Sequence, residues 1–295
     1  MFNKVYLVGV GLINASLAKD LKRLQLTEVI AGVGRDAKRL AAAQAANIID
    51  EFQLVDDINV ADADLVIIGV PVGKIKDTFS ILKPSIKAET ILTDVGSSKA
   101  DVVQAALDVF GELPENFVPG HPIAGREKSG FEYSIERLYE NRTVILTPTE
   151  KTATSASNAI ADMWRAVGAK VDLMSAQQHD AILSATSHLP HVVAYNLVNY
   201  LGQREDAKSI FNYAAGGFYD FTRIASSDPT MWADICVANQ NEIINSIDGF
   251  INCLNELKQK ISTQDKSGIH AAFDQAKQLR DLNMDEQNMN KNNSK

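Results

Sequence analysis

Of the five histidines in this 295-residue chain, His121 has the neighbours most suggestive of chemistry. It lies in Gly120-His121-Pro122-Ile123-Ala124-Gly125, where glycine and proline set the backbone direction at what reads as the end of a strand. Imidazole titrates near neutral pH, so a histidine held there suits the removal of a proton from a hydroxyl. A second polar run, Thr93-Asp94-Val95-Gly96-Ser97-Ser98-Lys99, follows another apolar stretch. Ser97 can orient the same hydroxyl or cap the helix that begins near Lys99, and the two roles are compatible. Arg223 stands in Phe221-Thr222-Arg223-Ile224. Its planar guanidinium suits a carboxylate bound through two hydrogen bonds, which lysine does not match. Ser187-His188-Leu189-Pro190-His191 places two histidines three apart, on roughly one helix face. His191 reads as a structural contact beside Pro190, His179 and Asp180 as a pair that is structural in part, and Trp232 as packing beside a pocket. The histidines are not spaced with carboxylates as metal ligands, and no metal is expected.

A phosphate-binding turn is legible at Gly9-Val10-Gly11-Leu12-Ile13-Asn14. Gly9 permits the tight turn and Gly11 lets the backbone approach a pyrophosphate. Leu12 and Ile13 open a helix whose free N–H groups face the anion. The third fingerprint glycine is replaced by Asn14, which implies a wider helix-strand crossing or a side-chain amide that reaches the loop. The second strand ends at Val33-Gly34-Arg35-Asp36. Gly34 occupies the place where an acidic residue would meet the ribose hydroxyls of NAD, and Arg35 beside it can meet a 2′-phosphate, so NADP is as open as NAD. Asp36 is late enough to be only a helix cap. Val70 and Pro71, after a buried strand, complete the expected cofactor contacts.

These residues need a frame that puts strand ends side by side. Residues 4–8, 29–33, 64–70 and 90–95 read as strands alternating with amphipathic helices at 12–26, 36–46, 74–82 and 99–110, and further strands are expected at 117–120 and 143–146. That rhythm gives a mostly parallel, doubly wound sheet of the Rossmann kind. After Pro148, helical periodicity takes over, apart from a strand signal at 170–173. The expected organisation is therefore an α/β dinucleotide-binding domain over 1–149 and an all-α domain over 150–282. An Asn-rich tail, 283–295, carries too little apolar content to pack. A net charge of -8 and a pI near 5.2 argue against a nucleic-acid surface. Cys236 and Cys253 lack metal or disulfide-framework spacing. No secretion leader or membrane span is legible, which points to a cytoplasmic protein with a small-molecule substrate.

Taken together, the motifs resemble those of the prephenate and arogenate dehydrogenases of tyrosine biosynthesis. The resemblance rests on Gly-Ser-x-Lys, on Gly120 to Gly125 followed by Glu127-Lys128-Ser129-Gly130, and on Val144-Ile145-Leu146-Thr147-Pro148. It rests equally on the histidine pair and on Asp220-Phe221-Thr222-Arg223-Ile224-Ala225-Ser226-Ser227-Asp228-Pro229 with Met231-Trp232. It covers nearly the whole chain. It implies that His121 takes the ring hydroxyl proton, Ser97 orients it, Arg223 grips a substrate carboxylate, His188 lies near the substrate side chain, and the helical domain pairs two copies into a homodimer. A monofunctional form is expected, with no chorismate mutase segment. Arg126 and Tyr219 depart from the family pattern and leave prephenate versus arogenate open. Two rival readings are another Rossmann-plus-helical dehydrogenase, of the β-hydroxyacid or pyrroline carboxylate reductase type, and a nucleotide-sensing module without catalysis.

Overall fold

The computed structural model describes residues 2–125 and 128–292. The chain forms two compact units, Met1–Ile243 and Ile244–Lys295. The first opens with β1 (Phe2–Val8), α1 (Leu12–Arg23), β2 (Thr27–Gly34), α2 (Ala37–Ala45), β3 (Glu51–Leu54), β4 (Leu65–Ile68), α3 (Ile75–Leu82), β5 (Ile91–Asp94), α4 (Ala100–Phe110) and β6 (Phe117–Val118). These six strands form one sheet in the order β3-β2-β1-β4-β5-β6, and every pairing is parallel. Alternate β1 residues serve opposite faces: Val5 and Leu7 join one buried cluster, Tyr6 and Val8 the other. Burial on both faces is why the strands read as continuous apolar runs. The order reverses between β1 and β4, and such a sheet opens its ligand crevice at that switch point, beyond the carboxyl ends of those two strands.

The sequence reading needs correction at several places. The apolar run at 117–120 is two strands, not one: Pro119, with no N–H to offer a ladder, separates β6 from β7 (Gly120–Pro122). β7 belongs to a second, three-stranded sheet with β8 (Thr143–Leu146) and β9 (Lys170–Leu173), in the order β7-β8-β9. His121 therefore lies within a short strand, opposite Ile145, and not at the end of a main-sheet strand. β3 escaped notice because it is a short edge strand of half-buried residues with only two apolar members. Between β8 and β9 lies α5 (Thr154–Ala166), whose Ile160 and Trp164 pack under the main sheet.

Helices follow: α6 (Ala176–Leu183), a π-helical turn at Ser184–His188, α7 (Leu189–Gly202), α8 (Ala207–Asn212), α9 (Gly216–Thr222), a 3₁₀ turn at Arg223–Ser226, α10 (Pro229–Ala238), α11 (Gln240–Ser262) and α12 (Lys266–Asn292). Pro190 has no N–H and clashes with a regular preceding turn, which accounts for the π turn just before it. α12 carries helical backbone to Asn292, into the segment that composition reads as a structureless tail. That segment has no glycine or proline to stop a helix. Among the described residues, no helix is long and apolar enough to cross a membrane.

Candidate active site

The turn after β1 is fixed by a close approach of backbone to backbone. Gly9 adopts φ +89°, and a Cβ there would stand 2.8 Å from the Gly69 carbonyl oxygen, so no other residue fits. The Asn14 amide, buried in α1, donates to the Gly9 carbonyl at 2.9 Å and to Ile67 at 3.3 Å. Of the two readings of Asn14, the amide reaching the loop is the one the structure shows, and it laces β1, β4 and α1 together at the switch point. Gly11 precedes α1 without a side-chain cap, and the first turn holds no acid. The helix N-terminus therefore keeps free N–H groups and positive dipole for an anion. A Cβ on Gly11 would meet nothing within 4 Å, leaving room for the close approach a pyrophosphate needs.

A groove of about 600 Å³ runs past this turn and is lined by Gly9, Gly11, Gly34, Arg35, Val70 and Pro71 among others. It gathers the expected cofactor residues except Leu12 and Ile13, which do not line it. Leu12 is buried in the core, so these two can contribute main-chain N–H groups only. Asp36 caps α2 through Lys38 and Arg39 N–H, as its late position suggested, and Arg35 is exposed at the groove. The groove suits a nicotinamide dinucleotide.

The β5–α4 turn is clamped to β7 by a buried ion pair. Lys99 is wholly buried. Its ammonium pairs with Asp94 and donates to the Gly120 carbonyl at 2.8 Å. Asp94 also accepts from Gly96 N at 2.8 Å and Gly120 N at 3.2 Å. A buried pair is tolerable only when its remaining hydrogen-bonding capacity is met, as here. The consequence is geometric: both sides of Gly120 are anchored, and His121 follows directly. Ser97 is half-buried on this turn and does not line the substrate cleft. Nor does it cap α4, whose first N–H groups, Lys99 and Ala100, go to the Asp180 carboxylate at 2.8 Å each.

His121 Nδ1 lies 2.8 Å from His179 Nε2, and His179 Nδ1 lies 2.8 Å from Asp180 Oδ1. His179 and Asp180, read from sequence as a pair structural in part, thus stand directly behind His121. Burial, then the neighbouring His179, Lys99 and His188, push the His121 pKa well below the ordinary histidine value and keep the ring neutral.

His121 opens onto a cleft of about 1090 Å³ that also exposes Ile123, Lys128, His191, Arg223 and Trp232. Lys128 lines this cleft and Ser129 the nucleotide groove, so the two adjoin along one segment. His191 stacks on Trp232 with ring centroids 3.7 Å apart and 21° between planes. Its Nδ1 lies 2.8 Å from the Ser187 carbonyl, which it serves as donor, leaving Nε2 as an acceptor. The histidine pair thus divides otherwise than expected: His191 lines the cleft, whereas His188 is 1% exposed and does not. His188 lies edge-on to Trp232, and its Nδ1 accepts from the Asn239 amide at 3.2 Å. Tyr219 is exposed, while Arg126 and Glu127 lie outside the described residues.

Burial lowers the His188 pKa from 6.5 to about 4. A histidine whose folded pKa is depressed binds its proton more readily when unfolded, so its contribution is complete above the unfolded value and is lost as pH falls from there toward the folded one. Stability should drop by about 1 kcal/mol between pH 7 and pH 5.5 from this residue alone. Urea melts across that range check this, and His188→Gln should flatten the slope.

Lys99, His179, Asp180 and His191 are the residues that sequence reasoning passed over or placed in structural roles. The spacing of Asp94 and Lys99 across a turn was the one available signal for the clamp. The His179–His121 contact joins segments 58 residues apart, and nothing local announces it.

Comparison with known proteins gives the family. The family profile described as prephenate dehydrogenase, nucleotide-binding domain, matches residues 17–173, and that described as prephenate dehydrogenase, dimerization domain, matches 175–275. A cyclohexadienyl dehydrogenase of Zymomonas mobilis is 34% identical over 95% of this chain and 96% of its own length. The crystal structure of a prephenate dehydrogenase from Aquifex aeolicus, in complex with hydroxyphenyl propionate and NAD+, superposes with a TM-score of 0.89 at 37% identity, covering 95% of this chain and 98% of the other. An arogenate dehydrogenase from Synechocystis gives a TM-score of 0.80 at 28% identity, covering 94% and 99%. With both of its halves matched and its length covered, the chain belongs to the prephenate dehydrogenase family.

Proposed function

We propose that this protein oxidises and decarboxylates prephenate or arogenate, passing hydride to NAD(P)+, in tyrosine biosynthesis. The observation that carries the reading is His121: a neutral imidazole, paired with His179, on the wall of a cleft that contains Arg223 and adjoins the nucleotide groove at Lys128 and Ser129. A bound nicotinamide supplies the hydride acceptor. His121 Nε2 takes the proton of the ring hydroxyl; Ser97 lies outside the cleft lining and is given no part in that step. Arg223 holds a carboxylate, and His191 and Trp232 wall the ring. The buried His188 supports Trp232 from behind. Loss of the ring carboxyl as carbon dioxide leaves an aromatic product, so the protein's work is chiefly alignment and exclusion of water.

In this proposal residues 1–149 bind the dinucleotide, and 150–282 complete the substrate cleft and pair two copies in the cytoplasm. The second unit leaves Phe250, Ile251, Leu254, Ile261 and Phe273 exposed, an apolar surface that suits a second copy better than water. Assays crossing prephenate and arogenate with NAD+ and NADP+ test the activity. Absence of turnover in all four, with cofactor still bound, would favour a sensing module.

Gly34 leaves the end of β2 without an acid, and exposed Arg35 lies at the groove beside it. NADP+ is accordingly expected to be accepted. Arg35→Ser should raise KM for NADP+ by about 10-fold, the scale of one exposed charge-assisted contact, and leave KM for NAD+ within about twofold. Equal effects on both cofactors would count against a 2′-phosphate contact.

A further inference from the structure

The strongest unassigned feature is the line of side chains behind His121. Asp180 accepts from Lys99 N, Ala100 N and His179 Nδ1. A carboxylate can only accept, so the proton between Asp180 and His179 belongs to His179 Nδ1. Neutral His179 then offers a bare Nε2 to His121, whose own proton must sit on Nδ1. His121 Nε2 is left as a lone pair. The tautomer that a general base requires is thus dictated from Asp180, two residues away in the chain of contacts, and both His179 and Asp180 are shut off from solvent.

We infer that His179 is a positioning residue that also receives a proton: when His121 Nε2 accepts the substrate's proton, the proton on His121 Nδ1 passes to His179 Nε2. The inference rests on the reading of His121 as the base. In this step the substrate O–H bond breaks and an N–H bond forms at His121 Nε2. The His121 Nδ1–H bond breaks and an N–H bond forms at His179 Nε2. No electrons change hands along this line, because the hydride leaves separately for the oxidised nicotinamide. The positive charge comes to rest beside the Asp180 carboxylate. Once product has gone, the reverse shift returns the proton from His179 Nε2 to His121 Nδ1, and His121 Nε2 releases the substrate's proton to the open cleft.

The surrounding charges favour that destination. His121 faces Lys99 from the β5–α4 turn and His188 from the π turn, both of which oppose a cation on its ring. Asp94 pairs with Lys99, whereas the hydrogen bond of His121 goes to His179. His179 has Asp180 on its own helix at 2.8 Å. Asp101 of α4 also lies near, close enough to interact with both Lys99 and Asp180. His188 and His191 also lie near the line.

His179→Gln separates holding from receiving. A glutamine carbonyl can still accept from His121 Nδ1, but an amide cannot take up the proton. The expected result is a kcat lower by about 100-fold, the low end for a proton-transfer group, with KM for the ring substrate within about twofold. Without the place beside Asp180 the base holds its proton less well, so the acid limb of kcat/KM should move to lower pH. Asp180→Asn, which keeps a carbonyl to cap α4 while removing the charge, should move the limb the same way. It carries the test if thermal melts show His179→Gln to be unfolded. A limb unmoved in the folded variants overturns the relay, and if His121→Asn is inactive in the same series the base assignment survives that loss. A His121→Asn enzyme with normal turnover overturns both.

Discussion

His121→Asn is expected to lower kcat/KM by about 1000-fold, within the range for loss of a positioned general base. Asparagine keeps a polar group of similar reach but cannot accept a proton at neutral pH. The variant should still fold, because the Asp94–Lys99 clamp fixes Gly120 through its main chain and not through the histidine ring. Cofactor binding, read by quenching of protein fluorescence, should be unchanged, since His121 is absent from the nucleotide groove. The pH profile of the native enzyme belongs to the same prediction. Burial, then His179, Lys99 and His188, lower the His121 pKa, and a base acts only when neutral. kcat/KM should therefore stay flat through pH 7 and fall only at a pH below the ordinary histidine value of about 6.5. An acid limb at or above that value would mean that protonation of some other group limits the reaction.

The parallel sheet was legible because its signals are local. Strand β4 is four consecutive buried aliphatics, and the Gly9 turn declares itself through residue types that only a tight, backbone-exposing bend requires. Asn14 was readable as a departure, but which of its two consequences held depended on the distance between α1 and the strand carrying Ile67. The second sheet was not legible as a sheet. β7 has three residues, includes a proline and pairs with β8 across the long stretch between Pro122 and Thr143, so the period that marks a strand never accumulates. The histidine pair failed for a different reason: three-residue spacing predicts a shared face in a regular helix, and the π turn before Pro190 makes this helix irregular at that point. His191 and His188 both meet Trp232, one stacked on it from the cleft and the other edge-on from the interior, a distinction of depth that spacing does not encode.

Arg223→Ala is expected to raise KM for the ring substrate by about 100-fold, or about 2.7 kcal/mol, the scale of a lost charge-assisted carboxylate contact. kcat should change little, since the ring carboxylate sheds its charge as carbon dioxide leaves and the arginine holds it no more tightly in the transition state than in the ground state. The residue lines the cleft at its exposed side, next to His191, whose pKa it helps to lower. That coupling adds a second readout: removing the guanidinium should raise the His191 pKa, which proton NMR of the ring can follow. Arg223→Lys restores the charge but not the planar fork, so it should recover only part of the lost affinity. Because the site is open to solvent, the native KM should also rise with ionic strength, and this dependence should weaken in the alanine variant. A variant with KM unchanged and kcat reduced would place Arg223 on charge that develops during the reaction. Lys128, the other cation on the cleft wall among the described residues, would then be the residue to test as the carboxylate anchor.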